Sequence, residues 1–318
     1  MKTAFITGVS GQDGAYLAAL LLGKGYKVVG LTRTYTSGKL SGLKYLGIED
    51  DVILEECDLL DFSSILKLLK KFQPDEVYNL SAQSSVGVSF EQPIGTISYN
   101  ILSVLNILES IRLVNPTTRF YQASSSEIYG KAESLPITLD SPMRPVSPYA
   151  ISKASAYWIT TNYRESYSLY SVNGVLFNHE SYLRSGNFFV KKVIHTALDI
   201  KSQKAKELKV GNLDIKRDFG YAPKYVEAMF LSLQQEEPSD YIICSGQSVS
   251  LREVVYHVFD RLEISRDKIV EDPSLFRPNE ISDLYGSNAN SIAKLNWFYD
   301  KNFFEILDVL IDEEINNG

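Results

Sequence analysis

Cysteine and histidine are scarce in this chain of 318 residues, with two and three copies respectively. Cys57 and Cys244 lie far apart and match no metal or redox motif, so we expect both to be buried as small apolar residues. His195 and His257 fall within helical patterns and are interpreted as structural. No cluster of histidine, cysteine and acidic residues has the spacing of metal ligands, so no metal site is predicted.

An excess of positive charge is missing as well. Lysine and arginine number 32 against 39 aspartate and glutamate, which gives a net charge of -7 and a pI near 5.2. This balance argues against nucleic acid or an anionic membrane as the main partner, whereas a few local arginines could still bind an anionic small molecule. We find no apolar run of membrane-spanning length and no leader-like N-terminus, so we expect a cytoplasmic protein.

The first 175 or so residues alternate short apolar runs with amphipathic stretches. Strands are predicted at residues 3–7, 27–32, 52–55, 76–80, 119–123 and 171–176, and helices at 14–25, 62–72, 97–114 and 149–167. This order is typical of βαβ units with right-handed crossovers. The sequence therefore predicts an α/β fold of the Rossmann type, with a doubly wound parallel sheet.

The rhythm changes after about residue 178. Helical patterns at 188–200, 223–234 and 251–262 are separated by short strands and polar loops, and an acidic helix is predicted at 305–316. We interpret this part as a smaller C-terminal α/β lobe that binds substrate. The predicted division is a nucleotide-binding domain at 1–177 and a substrate-binding lobe at 178–318, with an approximate boundary.

Three glycines, Gly8, Gly11 and Gly14, separate the first strand from the first helix. Glycines there let the backbone turn sharply and approach a pyrophosphate, whose charge meets the N-terminal amides of the helix. The spacing of three and three is the variant found in short-chain dehydrogenases. The strand–helix setting favours a dinucleotide site over glycines that serve only in a turn.

The end of the second strand indicates which dinucleotide binds. A carboxylate there would bond the ribose hydroxyls, but this strand ends without an acid and with Arg33, which can pair with a 2′-phosphate while Thr32 or Thr34 assists. This predicts NADP rather than NAD, the alternative being that Arg33 is merely a surface residue. After the third strand, Asp58 is placed to bond the adenine amino group and Leu59 to cover the ring.

Tyr149 and Lys153 are four residues apart on a predicted helix and therefore share a face. A lysine ammonium beside the phenol, together with a positively charged nicotinamide, favours the phenolate and makes Tyr149 a base near neutral pH. Ser125, at the end of the preceding strand, is predicted to donate or relay a hydrogen bond to the oxygen being oxidised. The alternative is a coincidence of core packing.

Glu127 follows Ser125 by two residues and has no task in a plain alcohol oxidation. Helix capping or a surface ion pair would be the structural explanation. The functional one is removal of a proton from the carbon beside a newly formed ketone, which acidifies that carbon. Glu127 therefore indicates chemistry beyond hydride transfer.

These segments, in this order, resemble the extended short-chain dehydrogenase/reductases and, within them, the GDP-mannose 4,6-dehydratases. The resemblance covers nearly the whole chain. It is carried by residues 7–17, 78–80, 89–91, 176–181, 211–212, 217–218, 233–236 and 276–280. The runs at 79–87 and 212–215 are closer to the GDP-manno-heptose 4,6-dehydratase branch.

The resemblance implies a redox-neutral cycle on a GDP-sugar. Tyr149 takes the C4 hydroxyl proton while hydride passes to NADP. Glu127 then removes the C5 proton and helps to expel the C6 hydroxyl as water. The hydride returns to C6, which yields a 4-keto-6-deoxy sugar and regenerates NADP.

By position, the resemblance also implies the binding residues. The cofactor contacts are Gly8, Gly11, Gln12, Asp13, Gly14, Arg33, Asp58, Leu59, Leu80, Ala82, Tyr149 and Lys153. The substrate contacts are Ser84, Asn178, Arg184, Arg217, Arg277 and Glu280. Arginine forks suit a diphosphate and a carboxylate suits the guanine N1 and N2 donors, although any one arginine could instead form a surface ion pair.

The chain also departs from the family pattern. Leu183 stands where the family has a basic residue, Phe219 replaces a tryptophan, the loop at 34–43 is short, and residues 281–288 diverge. Several alternatives therefore stay open: a six- or seven-carbon sugar, a homodimer or a homotetramer, and a non-dehydrating C4 dehydrogenase, reductase or epimerase. A nucleotide-binding scaffold without chemistry is disfavoured by the Tyr149/Lys153 pair.

Overall fold

Thirteen short strands run through the computed structural model, which describes residues 1–33, 40–276 and 279–317. In chain order they are β1 (Thr3–Thr7), β2 (Lys27–Thr32), β3 (Ile53–Glu56), β4 (Glu76–Asn79), β5 (Arg119–Ser125), β6 (Ser171–Leu176), β7 (Asn178–Glu180), β8 (Leu208–Val210), β9 (Lys216–Arg217), β10 (Phe219–Tyr221), β11 (Tyr241–Ile243), β12 (Val249–Ser250) and β13 (Ile269–Glu271).

The helices alternate with these strands. They are α1 (Gln12–Gly23), α2 (Ser41–Tyr45), α3 (Phe62–Phe72), α4 (Val86–Glu91), α5 (Pro93–Val114), α6 (Pro148–Tyr167), α7 (Phe189–Lys201), α8 (Ala222–Ser232), α9 (Leu251–Arg261), α10 (Ala289–Leu295) and α11 (Phe303–Asn317). Helix α6 begins where Pro148 occupies the first turn and the Ser147 hydroxyl accepts a hydrogen bond from the Ala150 amide at 3.1 Å.

Seven parallel strands form the central sheet, in the order β11-β6-β5-β4-β1-β2-β3. Successive residues of β1 face opposite layers of helices. Ala4 and Ile6 pack in the cluster that contains residues of α1 and α8, whereas Phe5 packs in the cluster with residues of α3, α5 and α6. The predicted doubly wound Rossmann-type sheet is therefore confirmed.

Strand order reverses between β1 and β4, so a crevice opens there at the carboxyl ends of the strands. The part of the chain after residue 178 has its own apolar cluster, in which Val254 and Val258 of α9 pack with Leu307 of α11. Strand β11 pairs with β6 in the central sheet. The part of the chain after residue 178 therefore contributes a strand to the sheet of the first part. The division at residue 177 stays a proposal.

Helix α5 is long and apolar enough to cross a membrane by length and composition, and it is the single helix among the described residues that passes this test. In the fold it contacts α3 and α6, and 39% of its apolar window is buried. Long core helices pass the same test, so it is weak evidence for a span. The expectation that no such run occurs is nevertheless corrected at this helix.

Candidate active site

A cleft of about 260 Å³ opens at the carboxyl ends of the central strands and reaches the C-terminal part of the chain. Its lining includes eleven of the residues that the sequence singled out: Asp13, Leu80, Ala82, Ser84, Ser125, Glu127, Tyr149, Lys153, Asn178, Arg184 and Arg217. Residues predicted from separate motifs thus meet at one place, as expected for a functional site.

The other predicted site residues do not line this cleft. Within the described ranges they are Gly8, Gly11, Gln12, Gly14, Arg33, Asp58, Leu59 and Glu280. Arg277 and Thr34, which were predicted to contact the substrate and the cofactor, lie outside the described residues. Their roles stay predictions.

The glycine loop has the geometry of a tight strand-to-helix turn. Gly8 has φ +70°, a conformation that favours glycine, and its carbonyl accepts a hydrogen bond from the Gly11 amide at 2.9 Å. A Cβ on Gly14 would lie 2.2 Å from the Gly8 carbonyl oxygen. The glycine at position 14 therefore lets α1 begin directly against the turn.

Arg33, Asp58 and Leu59 were predicted to bind the adenosine part of the cofactor, and the structure shows their present contacts. Arg33 is exposed at the end of β2, with its guanidinium 5.3 Å from the centre of the Tyr99 ring. The Asp58 carboxylate accepts a hydrogen bond from the Leu60 amide at 3.0 Å, and Leu59 is a buried core residue. These contacts leave the predicted adenine contacts of Asp58 and Leu59 untested.

Tyr149 and Lys153 lie on the first two turns of α6, and both are buried. The Lys153 ammonium donates a hydrogen bond to the Ala123 carbonyl at 2.8 Å and lies 5.9 Å from the centre of the Tyr149 ring. Burial lowers the pKa of Lys153 to about 8, against the opposing effect of the Asp13 carboxylate. The two side chains share one helix face, as the spacing predicted.

Burial also raises the pKa of the Tyr149 phenol to about 12, and the hydrogen bond with Ser125 opposes this shift. The Glu127 carboxylate raises it further. Lys153 does not by itself bring the phenol near neutrality, because its ammonium points to the Ala123 carbonyl. Tyr149 therefore needs a further positive charge beside it in order to act as the predicted base.

Glu127 lies in a short 3-10 turn, Ser126–Tyr129, that follows β5 directly. The Ser125 hydroxyl caps this turn by accepting a hydrogen bond from the Glu127 amide at 3.3 Å. In the part of the chain that the structure describes, no ion pair or hydrogen bond holds the Glu127 carboxylate itself, and this side chain lines the cleft. Neither capping nor a surface ion pair therefore accounts for the carboxylate.

An ion pair that the sequence did not predict joins the glycine loop to β7. The Nε2 of His179 lies 2.9 Å from both carboxylate oxygens of Asp13, and its Nδ1 donates to the Phe177 carbonyl at 2.7 Å. Both ring nitrogens therefore act as donors, which describes an imidazolium. Burial would lower the pKa of His179 but Asp13 raises it, and the same pairing lowers the pKa of Asp13 despite its burial.

Arg184, which is half-buried, and Glu180, which is buried, form a second ion pair at the cleft. The Nε of Arg184 lies 3.5 Å from a carboxylate oxygen of Glu180, and the guanidinium stacks 3.6 Å from the centre of the Phe188 ring. Burial raises the pKa of Glu180, against the opposing charges of Arg184 and His179. The sequence predicted Arg184 but missed Glu180, although Glu180 follows Asn178 by two residues and so shares its side of the strand.

The structure also places the residues that were interpreted as structural. Cys57 and Cys244 are buried and free, which confirms the prediction for both. His195 pairs with Glu314 at 2.9 Å and His257 with Asp308 at 2.8 Å, both through α11.

Comparisons with known proteins agree with this geometry. The family model described as GDP-mannose 4,6 dehydratase matches residues 5–309. The GDP-mannose 4,6-dehydratase of Yersinia enterocolitica is 39% identical over an alignment of 332 positions, which covers 93% of this chain and 89% of that protein.

Solved structures with lower identity support the fold alone. A dTDP-glucose 4,6-dehydratase from Bacillus anthracis in complex with NAD is similar with a TM-score of 0.86 and 19% identity, covering 100% of this chain and 97% of that one. RMD from Pseudomonas aeruginosa complexed with NADPH gives a TM-score of 0.81 and 24% identity, with 98% and 99% coverage. The match of the family model and the identity to the Yersinia protein confirm the family predicted from the motifs, and the chain belongs to the GDP-mannose 4,6-dehydratase family.

Proposed function

We propose that this protein is a 4,6-dehydratase of a GDP-sugar, either GDP-mannose or a GDP-manno-heptose. The observation that carries the proposal is the Glu127 carboxylate in the cleft, two residues after the Ser125 hydroxyl that hydrogen-bonds Tyr149. A base for C4 oxidation and a second base for a carbon-bound proton thus face the same cleft. The family's name, carried by relatives that match over nearly the full chain, supports the same reaction.

NADP fits as the cofactor, and when bound it accepts and returns a hydride. Gly14 packs so closely against the Gly8 carbonyl that a side chain would not fit there. The loop therefore presents backbone groups where a pyrophosphate would bind. Arg33 directly follows β2, whose sequence ends without an acidic residue, and this favours a 2′-phosphate. The similar folds have been solved with either NAD or NADPH, so the preference for NADP rests on Arg33.

In the proposed cycle, Tyr149 removes the C4 hydroxyl proton once a positively charged ring lies beside it, which offsets the burial that raises its pKa to about 12. Ser125 keeps the phenol oriented through its hydrogen bond. Glu127 then takes the C5 proton of the 4-keto sugar and gives a proton to the departing C6 hydroxyl. One carboxyl group can serve both steps because it gains the proton that it afterwards donates.

The diphosphate and guanine are proposed to bind at the far end of the cleft. Arg217 is nearly buried there, with one guanidinium nitrogen donating to the Lys216 carbonyl at 2.7 Å and to the Ile281 carbonyl at 2.8 Å. These bonds fix the plane of a fork suited to phosphate oxygens. Arg184 from the same cleft adds a second fork, and the remaining proposed substrate contacts are Ser84, Asn178, Arg277 and Glu280.

Incubation with GDP-mannose and with GDP-manno-heptose tests the proposal by mass spectrometry of the sugar product. Loss of one water with unchanged total NADPH is the expected result for at least one of the two sugars. Loss of two hydrogens, or an epimer of unchanged mass, would instead support the non-dehydrating alternative. The sugar that reacts faster decides between the mannose and heptose branches.

A homodimer or homotetramer is part of the proposal. Helices α5 and α6 contact each other and leave an apolar strip exposed, with Leu102 and Leu105 on α5 and Ile151 and Trp158 on α6. Exposed apolar area of this kind is more often covered than left in water. Light scattering coupled to size exclusion should show a mass of at least two chains, and Trp158→Asp should reduce it.

A further inference from the structure

The residues from β9 to β10 present alternate side chains to opposite sides. Ile215, Arg217 and Phe219 line the cleft, whereas Asp218 lies between the latter two and is completely buried behind them. Asp218 therefore has no direct access to a bound substrate. Its carboxylate faces other parts of the chain instead.

Four donors converge on the Asp218 carboxylate. One oxygen accepts from the Ser245 amide at 2.8 Å and from the Ser245 hydroxyl at 2.7 Å. The other accepts from the Gly246 amide at 3.0 Å and from the Gly286 amide at 3.3 Å. An ionised carboxylate can accept about four hydrogen bonds, so these four donors occupy all the acceptor positions of Asp218. Burial raises the pKa of Asp218 to about 6 against these hydrogen bonds, so it is ionised at neutral pH.

The donors come from two different pieces of chain. Ser245 and Gly246 follow β11, the edge strand of the central sheet, after the intervening Cys244, and Gly246 turns with φ +80°. Gly286 belongs to the segment at 281–286, and a Cβ there would lie 2.8 Å from the Phe177 ring. The carboxylate therefore fastens this segment to the end of the central sheet.

The segment at 281–286 also runs beside β9. The Lys216 amide donates to the Ser282 carbonyl at 2.8 Å, and the Asp218 amide donates to the Leu284 carbonyl at 3.1 Å. The Asp218 residue thus holds the segment twice, through its backbone and through its side chain. A shift of the segment would move the acceptors that face β9.

Arg217 depends on this segment because its guanidinium donates to the Ile281 carbonyl at 2.8 Å. Glu280 precedes Ile281 in the chain, so its backbone moves with the same segment. Two proposed contacts of the nucleotide, Arg217 and Glu280, are therefore located by parts of the chain that Asp218 joins. Neither the glycine loop nor Tyr149 shares these bonds.

We propose that Asp218 is a positioning residue for nucleotide binding, which holds Arg217 and the segment after Glu280 in the geometry that grips the GDP end of the substrate. This inference rests on the proposed function for the identity of the nucleotide. A residue of this kind should act on substrate affinity and leave the cofactor site and the chemical step almost untouched.

The test compares Asp218→Asn, Ser245→Ala and Asp240→Asn in the full-length protein. In Asp218→Asn an amide nitrogen faces backbone N–H groups that have lost their acceptor, while Ser245→Ala removes one of the four donors. Asp240 is the matched control, because it is also buried and accepts from Arg164 at 2.7 Å and from the Asn173 amide at 2.9 Å but lies outside the cleft lining.

We expect Asp218→Asn to raise the dissociation constant for GDP, measured by calorimetry, by roughly ten- to a hundredfold, the range for one lost charge-assisted hydrogen bond. KM for the GDP-sugar should rise in parallel, with kcat and NADP affinity changed by less than about threefold. Ser245→Ala should give a smaller rise in the same direction. Hydrogen exchange at the amides of Ser245, Gly246 and Gly286 should quicken in Asp218→Asn.

Unchanged GDP affinity in a folded Asp218→Asn variant would overturn the inference, and so would unchanged exchange at those three amides. Equal effects of Asp218→Asn and Asp240→Asn on KM would contradict the inference, because they would show that Asp218 stabilises the fold without a specific effect on nucleotide binding. If Asp218→Asn does not fold, the GDP affinity and KM of Ser245→Ala are compared with those of Asp240→Asn instead. Failure of the wild-type protein to dehydrate either GDP-sugar would instead contradict the proposed function, and GDP affinity would still test Asp218.

Discussion

In the proposed cycle, Glu127 is the residue that distinguishes a dehydratase from a plain dehydrogenase at this site. Tyr149, Lys153 and Ser125 are proposed to carry out oxidation at C4, and all three line the cleft. Abstraction of a carbon-bound proton needs a second base, and the Glu127 carboxylate faces the cleft without an ion pair or hydrogen bond among the described residues. The reaction assigned to this protein therefore depends on that single side chain.

Glu127→Gln should stop the cycle after hydride transfer. Because glutamine cannot take the C5 proton, turnover should fall by about a hundredfold to ten-thousandfold, the usual contribution of a general base. Reduced cofactor should then accumulate on the protein and be visible by its absorbance in a single-turnover experiment. The control is Glu133→Gln, which alters an exposed carboxylate paired with Arg144. Normal turnover by Glu127→Gln would mean that another group is the base.

The His179–Asp13 pair makes the stability of the protein depend on pH. The pKa of His179 is raised in the folded state above its ordinary value of 6.5, because the Asp13 carboxylate outweighs the effect of burial. The stabilisation is therefore complete below about pH 6.5 and is lost as the pH rises through the raised pKa.

His179→Gln should lower the free energy of unfolding by about 3 kcal/mol at or below pH 6.5, since it breaks a buried ion pair. The difference from the wild type should shrink as the pH rises further, because the wild type loses its own ion pair. Urea unfolding of both proteins over this range is the measurement. A difference that stays constant with pH would show that folding does not raise the pKa of His179.

At the scale of secondary structure, local patterns predicted the central sheet well. Strand β6 lies at the residues predicted for it, and helix α1 begins two residues before its predicted start. The reason is that inner strands such as β1 and β6 are buried on both faces, and helices such as α3 bury residues at helical spacing, so their sequence signal is strong. The three pairs of two- to three-residue strands, such as β9 with β12, have no such signal because they are too short.

The candidate site divides in the same way. Tyr149 with Lys153 and Ser125 with Glu127 lie within one turn of each other in the sequence, so a motif could reveal them. The pairing of Asp13 with His179 spans 166 positions and forms only when β7 meets the start of α1. Tertiary packing creates that contact, and the alternation along β7 is the one signal in the sequence that points to it.

The start of helix α1 supplies a prediction at this scale. Gly14→Ala places a Cβ 2.2 Å from the Gly8 carbonyl oxygen, so the loop and the helix must separate. We expect a loss of about 1–3 kcal/mol of stability from overpacking, together with at least about tenfold weaker NADP binding.

Gly23→Ala is the matched control, because it lies in the same helix and its Cβ would meet nothing within 4 Å. Its stability should be unchanged or up to about 1 kcal/mol greater, since alanine favours the helix. Thermal unfolding and titration with NADP distinguish the two variants. Equal cofactor affinity in both would contradict the pyrophosphate role of the loop.

At the scale of the whole molecule, the acidic chain places three basic residues, beside Asp13, Glu127 and Glu180, in the cleft where the anionic ligands are proposed to bind. The net charge is -7, yet Arg184, Arg217 and Lys153 all line one cleft. The acidic composition predicts that a polyanion is not the main partner, and the local arginines are proposed to bind the anionic small molecule. The cleft brings together residues from both parts of the chain, so the proposed oxidation and nucleotide binding both depend on the complete fold.

The central claim, dehydration with return of the hydride within one active site, is tested most directly by a substrate that carries deuterium at C4. GDP-mannose and GDP-manno-heptose labelled in this way would be incubated with the protein and NADP, and the product examined by NMR and mass spectrometry. The account predicts loss of one water, deuterium at C6 of the 4-keto-6-deoxy sugar, and a solvent hydrogen at C5. Deuterium that remains on the cofactor, or a product that keeps its C6 hydroxyl with either sugar, would contradict it.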